Sequence, residues 1–277
     1  MKIGCIIVLY KPNYQVVNNI KKYPKLYKLV LIDNSPNNNS KLFESILSES
    51  VTYIPLLKNM GIAHALNIGI KDILNSVDYI ITMDQDSKLN SELLLTYQNY
   101  INEHKRTFAL TPQYNTGRCQ IKKDNRTKKV SLSMQSGTLF NVEVFKKIGY
   151  FDERLFIDVV DWEFFLRMKK YGLELIRINR AILEHQPAIT KEKYIGPYKL
   201  KYGVASPLRY YYQARNLLWV ARRYRSLNLY VNLVIKWLKI ILLFDNKKEY
   251  LLSFYEGVQD AIKNKLGEKH EKENITS

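Results

Sequence analysis

An unbroken apolar run from Gly4 to Leu9 opens the chain, and such a run reads as a strand buried on both faces. A helix is expected from Pro12 to Lys22. A second strand, Lys28 to Ile32, ends in Asp33-Asn34-Ser35-Pro36. The polar loop Asn37 to Ser40 leads into a helix from Lys41 to Ser48, followed by a third strand from Val51 to Ile54. Asn59-Met60-Gly61 marks a turn, and Ile62 to Leu74 has the apolar spacing of a helix. The fourth strand, Tyr79 to Met83, runs into Asp84-Gln85-Asp86-Ser87. A helix from Ser91 to Lys105 and a fifth strand from Phe108 to Leu110 complete the alternation. Strands and helices joined by short connections predict an α/β fold whose mostly parallel central sheet is flanked by helices on both faces.

The pattern then changes. Arg118 to Lys129 is basic and polar, which predicts a mobile loop. Ser131 to Asn141 reads as two strand pieces around Gln135-Ser136-Gly137. Val142 to Ile148 is a short helix stopped by Gly149. Phe151 to Glu163 is dense in carboxylates among large apolar residues, and Asp161 is placed to cap a helix running to Tyr171. Glu174 to Ile178 and Ala181 to Glu184 are expected strands, with His185 just after the second. From Leu208 onward the chain reads as helix only. Leu227 to Phe244 is strongly apolar, and its Asn228, Asn232, Lys236 and Lys239 form one narrow helical stripe. Central lysines suit a bilayer span badly. A helix lying in a membrane surface, or packed under its neighbours, fits better. Lys263 to Ser277 is charged, and disorder is expected there.

Composition narrows the partners. A net charge of +17 and a pI near 9.6 point to acidic ones: nucleotides, nucleic acid or an anionic membrane face. A hydrophobic content of 46% over 277 residues is enough to bury a sizeable core. Two cysteines, Cys5 and Cys119, argue against a disulfide scaffold and fit a reducing compartment. The first apolar run is too short for a signal peptide, so the sequons at Asn38, Asn125 and Asn274 are expected to be chance matches. No Gly-x-Gly-x-x-Gly follows the first strand, no Gly-Lys-Ser/Thr occurs, and zinc clusters and Gly-x-Ser-x-Gly elbows are missing.

The remaining chemistry lies in carboxylates. Strand side chains alternate, so Asp84 and Asp86 point the same way if the extended form persists. Two such carboxylates repel unless a cation lies between them, and hard cations that take oxygen ligands also hold phosphates. The competing reading is an acidic turn with Ser87 capping the next helix. Asp33, Asn59 and Asp84 all fall at or just beyond strand ends, where ligands of parallel sheets bind.

Taken together, five ordered segments resemble the family 2 glycosyltransferases of the GT-A fold, and within them bacterial rhamnosyltransferases and related galactofuranosyltransferases. They are Val8-Leu9-Tyr10 with Pro12, Val30 to Asn34, Asn59 to Gly69, Met83 to Ser87, and Leu155 to Glu163 with Arg167 and Gly172. His185 and the stretch from Tyr211 to Asn216 complete the set. The resemblance implies a catalytic domain over 1–205, with a nucleotide-binding half over 1–112 and an acceptor half over 113–205. A helical, basic and amphipathic region over 206–264 and a disordered tail over 265–277 would follow. Asp33 would bind the pyrimidine base. Tyr10, Asn59, Gly61, Asn67, Asp84, Ser136 and Gly137 would line the rest of the nucleotide sugar. Asp86, with His185 and Asp84, would hold Mn²⁺ or Mg²⁺. Asp161 would be the general base, with Asp158 and Glu163 as rivals, and its apolar surround of Phe156, Val159, Val160 and Trp162 suits a base. Asp158, Trp162, Glu163 and Arg215 would contact the acceptor.

The implied reaction is an inverting transfer of a sugar, rhamnose from dTDP-rhamnose foremost, onto a cell-surface glycan carried by a polyprenyl diphosphate. UDP-galactofuranose and UDP-hexose are alternative donors. The enzyme would sit on the cytoplasmic face of the membrane, held by anionic lipid, and would not bind nucleic acid. Two other classes remain open from the residues: a sugar-nucleotide nucleotidyltransferase and a basic nucleic-acid-binding protein. Tyr10-Lys11-Pro12-Asn13 is not the Gly-rich loop the first would need.

Overall fold

The computed structural model describes residues 1–117, 121, 123–185, 190–195 and 197–269. The chain runs β1 (Ile3–Leu9), α1 (Tyr14–Ile20), β2 (Lys28–Asp33), α2 (Ser40–Phe43), β3 (Val51–Pro55), α3 (Ile62–Ile73), β4 (Tyr79–Asp84), α4 (Ser91–Glu103) and β5 (Ala109–Asn115). It continues with β6 (Thr127–Val130), β7 (Thr138–Asn141), α5 (Val142–Ile148), α6 (Val160–Lys170), β8 (Leu175–Glu184), β9 (Thr190–Ile195) and β10 (Tyr198–Gly203). Three helices follow: α7 (Pro207–Tyr224), α8 (Leu227–Leu243) and α9 (Lys247–Ile262). By their contacts the described residues fall into two compact units. One comprises Met1–Phe151 and Asp161–Val204; the other comprises Asp152–Val160 and the described part of Ala205–Ser277.

The first unit is built on an eight-stranded sheet in the order β3-β2-β1-β4-β7-β5-β8-β6. β1 to β4 are mutually parallel where they pair. β7 is antiparallel to β4 and β5. The strand order therefore reverses between β1 and β4, the kind of switch point beside which open α/β sheets hold their ligands. The register aligns Leu9 with Asp33 and Val8 with Asp84, so three strands end level with one another. Burial explains the apolar runs: Cys5, Ile6, Ile7, Leu9, Val30 to Ile32 and Ile80 to Met83 are buried. Helix entry follows local capping, with the Asn13 side chain accepting from Gln15 and Val16 backbone N–H groups, and Asn90 from Leu93.

Several expectations change. The basic stretch before Val130 is not all loop, because β6 forms the far edge of the sheet antiparallel to β8. Its Lys128 and Lys129 hide it from hydrophobic patterning and protect the edge from pairing with other chains. The piece expected before Gln135 is not a strand. Residues 131–137 turn, with Thr138 N donating to Gln135 O, and only β7 remains. The two expected strands around Asn179 are one, β8, with an irregular register opposite Pro112, which has no N–H to give a ladder. β9 and β10 form an antiparallel hairpin that polar alternation concealed. Cys119, the sequon at Asn274 and the tail from 270 lie outside the described residues.

In the second unit, α7 and α9 pack closely. A Cβ on Gly257 of α9 would lie 2.3 Å from Tyr211 O on α7. Gly257→Ala is therefore expected to lower stability by about 1–3 kcal/mol, the usual cost of overpacking; a thermal melt of the variant beside the parent measures it. Order also extends past 265, where disorder was expected. Gly267 N donates to Arg154 O and Lys269 N to the Tyr212 hydroxyl, so backbone hydrogen bonds fix the chain there.

Within the same unit the backbone of 152–160 is strained. Phe156, Asp158 and Val159 hold φ of 63°, 64° and 64°, in the left-handed region. Asn216 Nδ2 donates to the carbonyls of Leu155, Ile157 and Asp158 at 2.8–2.9 Å and gathers the turn.

Candidate active site

The site lies at the carboxyl ends of β1, β2 and β4. Gln85 and Tyr10 clasp the ends of β4 and β1: Tyr10 N donates to Gln85 Oε1 at 2.9 Å, and Gln85 Nε2 to Tyr10 O at 3.1 Å. Lys11 N donates to Ser35 Oγ at 2.6 Å, which ties β1 to β2. Tyr10 itself is exposed.

Asp33 is fully buried at the end of β2. Its carboxylate accepts from the Tyr53 hydroxyl at 2.5 Å, from Asn39 Nδ2 at 2.8 Å and from Ser35 N at 3.1 Å. Burial and the bond to Asp33 push the Tyr53 phenol well above its usual range, which keeps it a donor. Beside it, Asn34 Nδ2 donates to Asn59 Oδ1 at 3.0 Å, and Asn34 Oδ1 accepts from Met60 N at 2.7 Å. Gly61 N donates to Asn59 Oδ1, with Gly61 at φ 84°. Asp33, Asn59 and Gly61 are thus brought together, and Asn34, unassigned from the sequence, links them.

Asp84, Asp86 and His185 each offer a ligand atom, and all three atoms lie within 4.8 Å of one another. Asp86 is exposed, and its Oδ1 lies 3.9 Å from His185 Nδ1. Ser87 orients the imidazole, with its hydroxyl 3.0 Å from Nδ1, and shares a 2.8 Å hydrogen bond with Ser136. Ser136 in turn accepts from Asp84 N at 3.0 Å. Ser87 is therefore not a helix cap; Asn90 takes that place. Two carboxylates and an imidazole form a donor set that fits a divalent cation such as Mn²⁺. Burial raises the Tyr23 phenol well above its usual range, and the charges of Asp84 and Asp86 add to the rise.

Gln135 joins this group to Asp161. Its Nε2 donates to Asp84 Oδ1 at 2.5 Å, and its backbone N to Asp161 Oδ2 at 3.3 Å. Asp161 was expected to cap α6, but the helix starts at Val160. The carboxylate lies in the first turn, where Oδ1 accepts from Trp162 N at 2.9 Å. Burial pushes the Tyr114 phenol up to about 12, with Asp161 contributing. Gly137 has φ 76° and no room for a Cβ, which would lie 2.6 Å from Leu183 Cδ2. That close approach lets the 135–137 turn reach the end of β4, where Gly137 N donates to Thr82 O at 2.7 Å.

Four expected site residues are engaged elsewhere. Asn67 is buried, and its amide exchanges hydrogen bonds with the Phe151 backbone. Glu163 is buried and paired with Arg167 at 2.8 Å. In the second unit Asp158 receives the Arg209 guanidinium at 2.6 and 2.8 Å. Arg215 is buried, donates to Gly267 O and Leu155 O, and stands over the Tyr212 ring. For Asn67, Asp158 and Arg215 the partner is remote in sequence, whereas Glu163 pairs one helical turn away. Trp162 stays partly exposed beside Asp161.

The chain is similar to known proteins along its length. The chain is 30% identical to a dTDP-rhamnosyl transferase, RfbF of Shigella flexneri, over 96% of its own length and 97% of that protein. It is 22% identical to Agl10 of Haloferax volcanii, a hexosyltransferase of low-salt glycan biosynthesis, over 96% and 92%. The structure of S. aureus TarS 1-349 with UDP-GlcNAc superposes with a TM-score of 0.60 at 15% identity, covering 93% of this chain and 82% of that one. GalNAc-T7, solved with UDP, GalNAc and Mn²⁺, gives 0.61 at 13% identity, and this chain spans 95% of itself but 56% of that protein. Residues 14–167 match the model of glycosyl transferase family 2, and the chain belongs to that family, as an enzyme of the GT-A fold.

Proposed function

We propose that the enzyme moves rhamnose from dTDP-rhamnose onto a glycan acceptor, with inversion at the anomeric carbon. The observation that carries this reading is the bridge through Gln135, which sets Asp161 beside the Asp84, Asp86 and His185 group. The full-length likeness to a dTDP-rhamnosyl transferase supports the donor.

Asp33 is assigned to the pyrimidine base. A carboxylate accepts about four hydrogen bonds, and three are present at Asp33. Asn59, Gly61 and Tyr10 are assigned to ribose and diphosphate, and Ser136 with Gly137 to the wall of the sugar pocket. Asp161 takes the proton from the acceptor hydroxyl as its oxygen bonds to the anomeric carbon and the bond to the diphosphate breaks. The single displacement accounts for inversion. Trp162 is the acceptor contact that the local geometry favours. Asp86, His185 and Asp84 would hold Mn²⁺ or Mg²⁺, which when bound supplies Lewis-acid stabilisation of negative charge on the leaving diphosphate. We place the acceptor on a polyprenyl diphosphate and the enzyme at the cytoplasmic face of the membrane, peripherally. Among the described residues no helix is long and apolar enough to cross a membrane.

Thermal melts with a panel of sugar nucleotides, each with and without Mn²⁺ or Mg²⁺, test the donor. A ligand at one hundred times its Kd stabilises the folded state by about 2.7 kcal/mol. The largest rise is expected with dTDP-rhamnose plus cation. A larger rise with UDP-galactofuranose or a UDP-hexose would reassign the donor within the same reaction.

A further inference from the structure

Helix α8 is apolar on its exposed face as well as on its buried one. Leu227, Val231, Val234, Ile235, Leu238 and Leu242 recur at spacings of three and four, so they form one face, and all six are exposed. Leu227 is 75% exposed and Leu242 61%. Two of its polar residues, Lys236 and Lys239, turn toward its own unit. Lys236 Nζ donates to Gln213 Oε1 of α7 at 2.8 Å and stands over the Tyr210 ring. Lys239 stands over the Phe244 ring. The buried residues of α8 are Leu229, Ile240 and Leu243. A face of this size left in water marks an interaction surface.

We propose that α8 lies in the plane of an anionic lipid surface, with this stripe among the acyl chains. Charge selects that occupant. α8 carries no Asp or Glu. It is flanked by exposed cations, Arg222, Arg223 and Arg225 before it and Lys247 and Lys248 after it. Flanking cations of this kind draw a helix to acidic headgroups. The exposed Tyr230 and Trp237 are aromatic residues of the type that settles at the headgroup level. At 17 residues the helix is short for a span and sufficient to lie flat. A second copy is the poorer partner. A two-fold contact would bring identical basic flanks together on chains that each carry +17. The proposal gives the peripheral placement above a defined surface, and it stands apart from the donor assignment.

The test uses the full chain and vesicles of phosphatidylcholine alone or mixed with phosphatidylglycerol. Sedimentation with the anionic vesicles is expected, together with a blue shift of tryptophan emission. Trp237→Phe should remove most of that shift and keep binding. The triple variant V234Q/I235Q/L238Q changes exposed positions only. It should reduce vesicle binding at least tenfold and leave the donor-induced rise in melting temperature unchanged. Three results would overturn the proposal: binding that the triple variant retains, equal binding to neutral vesicles, or no vesicle binding with a concentration-dependent dimer that the triple variant abolishes. Spin-labelled lipids that fail to quench Trp237 in vesicle-bound parent protein would overturn it as well, without any variant. Loss of the donor-induced shift in the parent protein would instead count against the proposed reaction.

Discussion

Asp161→Asn is expected to lower sugar transfer by about 10²–10⁴-fold, the range contributed by a positioned general base, with nucleotide-sugar affinity nearly unchanged. The substitution is close to isosteric. An amide oxygen can still accept from Trp162 N or Gln135 N, so the start of α6 and the 135–137 turn should keep their shape. What disappears is the capacity to take a proton. A second route to inactivity, loss of donor binding, is separated by the melting shift with sugar nucleotide. If that shift vanished with the activity, Asp161 would belong to the cation and diphosphate shell. Lost turnover with an intact shift fixes it as the base.

Asp86→Ala carries the second large effect. Asp86 is exposed and lies 3.9 Å from His185, where its carboxylate completes the donor set. Its removal should cost activity about 10²–10³-fold, the magnitude seen when one electrostatic stabiliser of transition-state charge is lost. It should also abolish the extra stabilisation that Mn²⁺ or Mg²⁺ adds to the donor-bound protein. The fold should be spared, because the side chain is half in solvent. Activity that survived with an unchanged cation response would remove Asp86 from the cation site and leave the aspartate pair as an acidic turn.

The sheet was legible from the chain because β1, β2 and β4 are buried on both faces and so carry continuous apolar runs. β6, β9 and β10 were not, since edge strands rich in lysine alternate nothing that hydrophobic patterning can detect. At the site, Asp84 and Asp86 were legible as spaced carboxylates at a strand end, but β4 stops at Asp84 and the turn that follows, not strand alternation, brings Asp86 near it. Gln135 as the link between Asp84 and Asp161 was not, because its partners are 51 and 26 residues away and only folding brings them together. The same limit applies to Asn67, Asp158 and Arg215. A polar side chain in sequence shows its chemistry but not whether a backbone carbonyl or a guanidinium already occupies it. The polar stripe of α8 was visible, and the inward direction of its Lys236 became known only from α7, through Gln213 and Tyr210.

The left-handed turn at 156–159 bears on how this enzyme could be divided. Each non-glycine residue in that region costs roughly 1–2 kcal/mol, and at Leu155, Ile157 and Asp158 the carbonyls are collected by one amide, Asn216. The unit that holds the turn is discontinuous in sequence: Asp152–Val160 belongs with residues after Ala205, and Asp161 follows directly. No single cut separates the two units. A fragment ending at Val204 would retain the turn and lose the amide that gathers it. The C-terminal helices are therefore a poor cassette for chimeras. Exchanging them with those of a relative would also exchange the residue that sets the backbone immediately before Asp161.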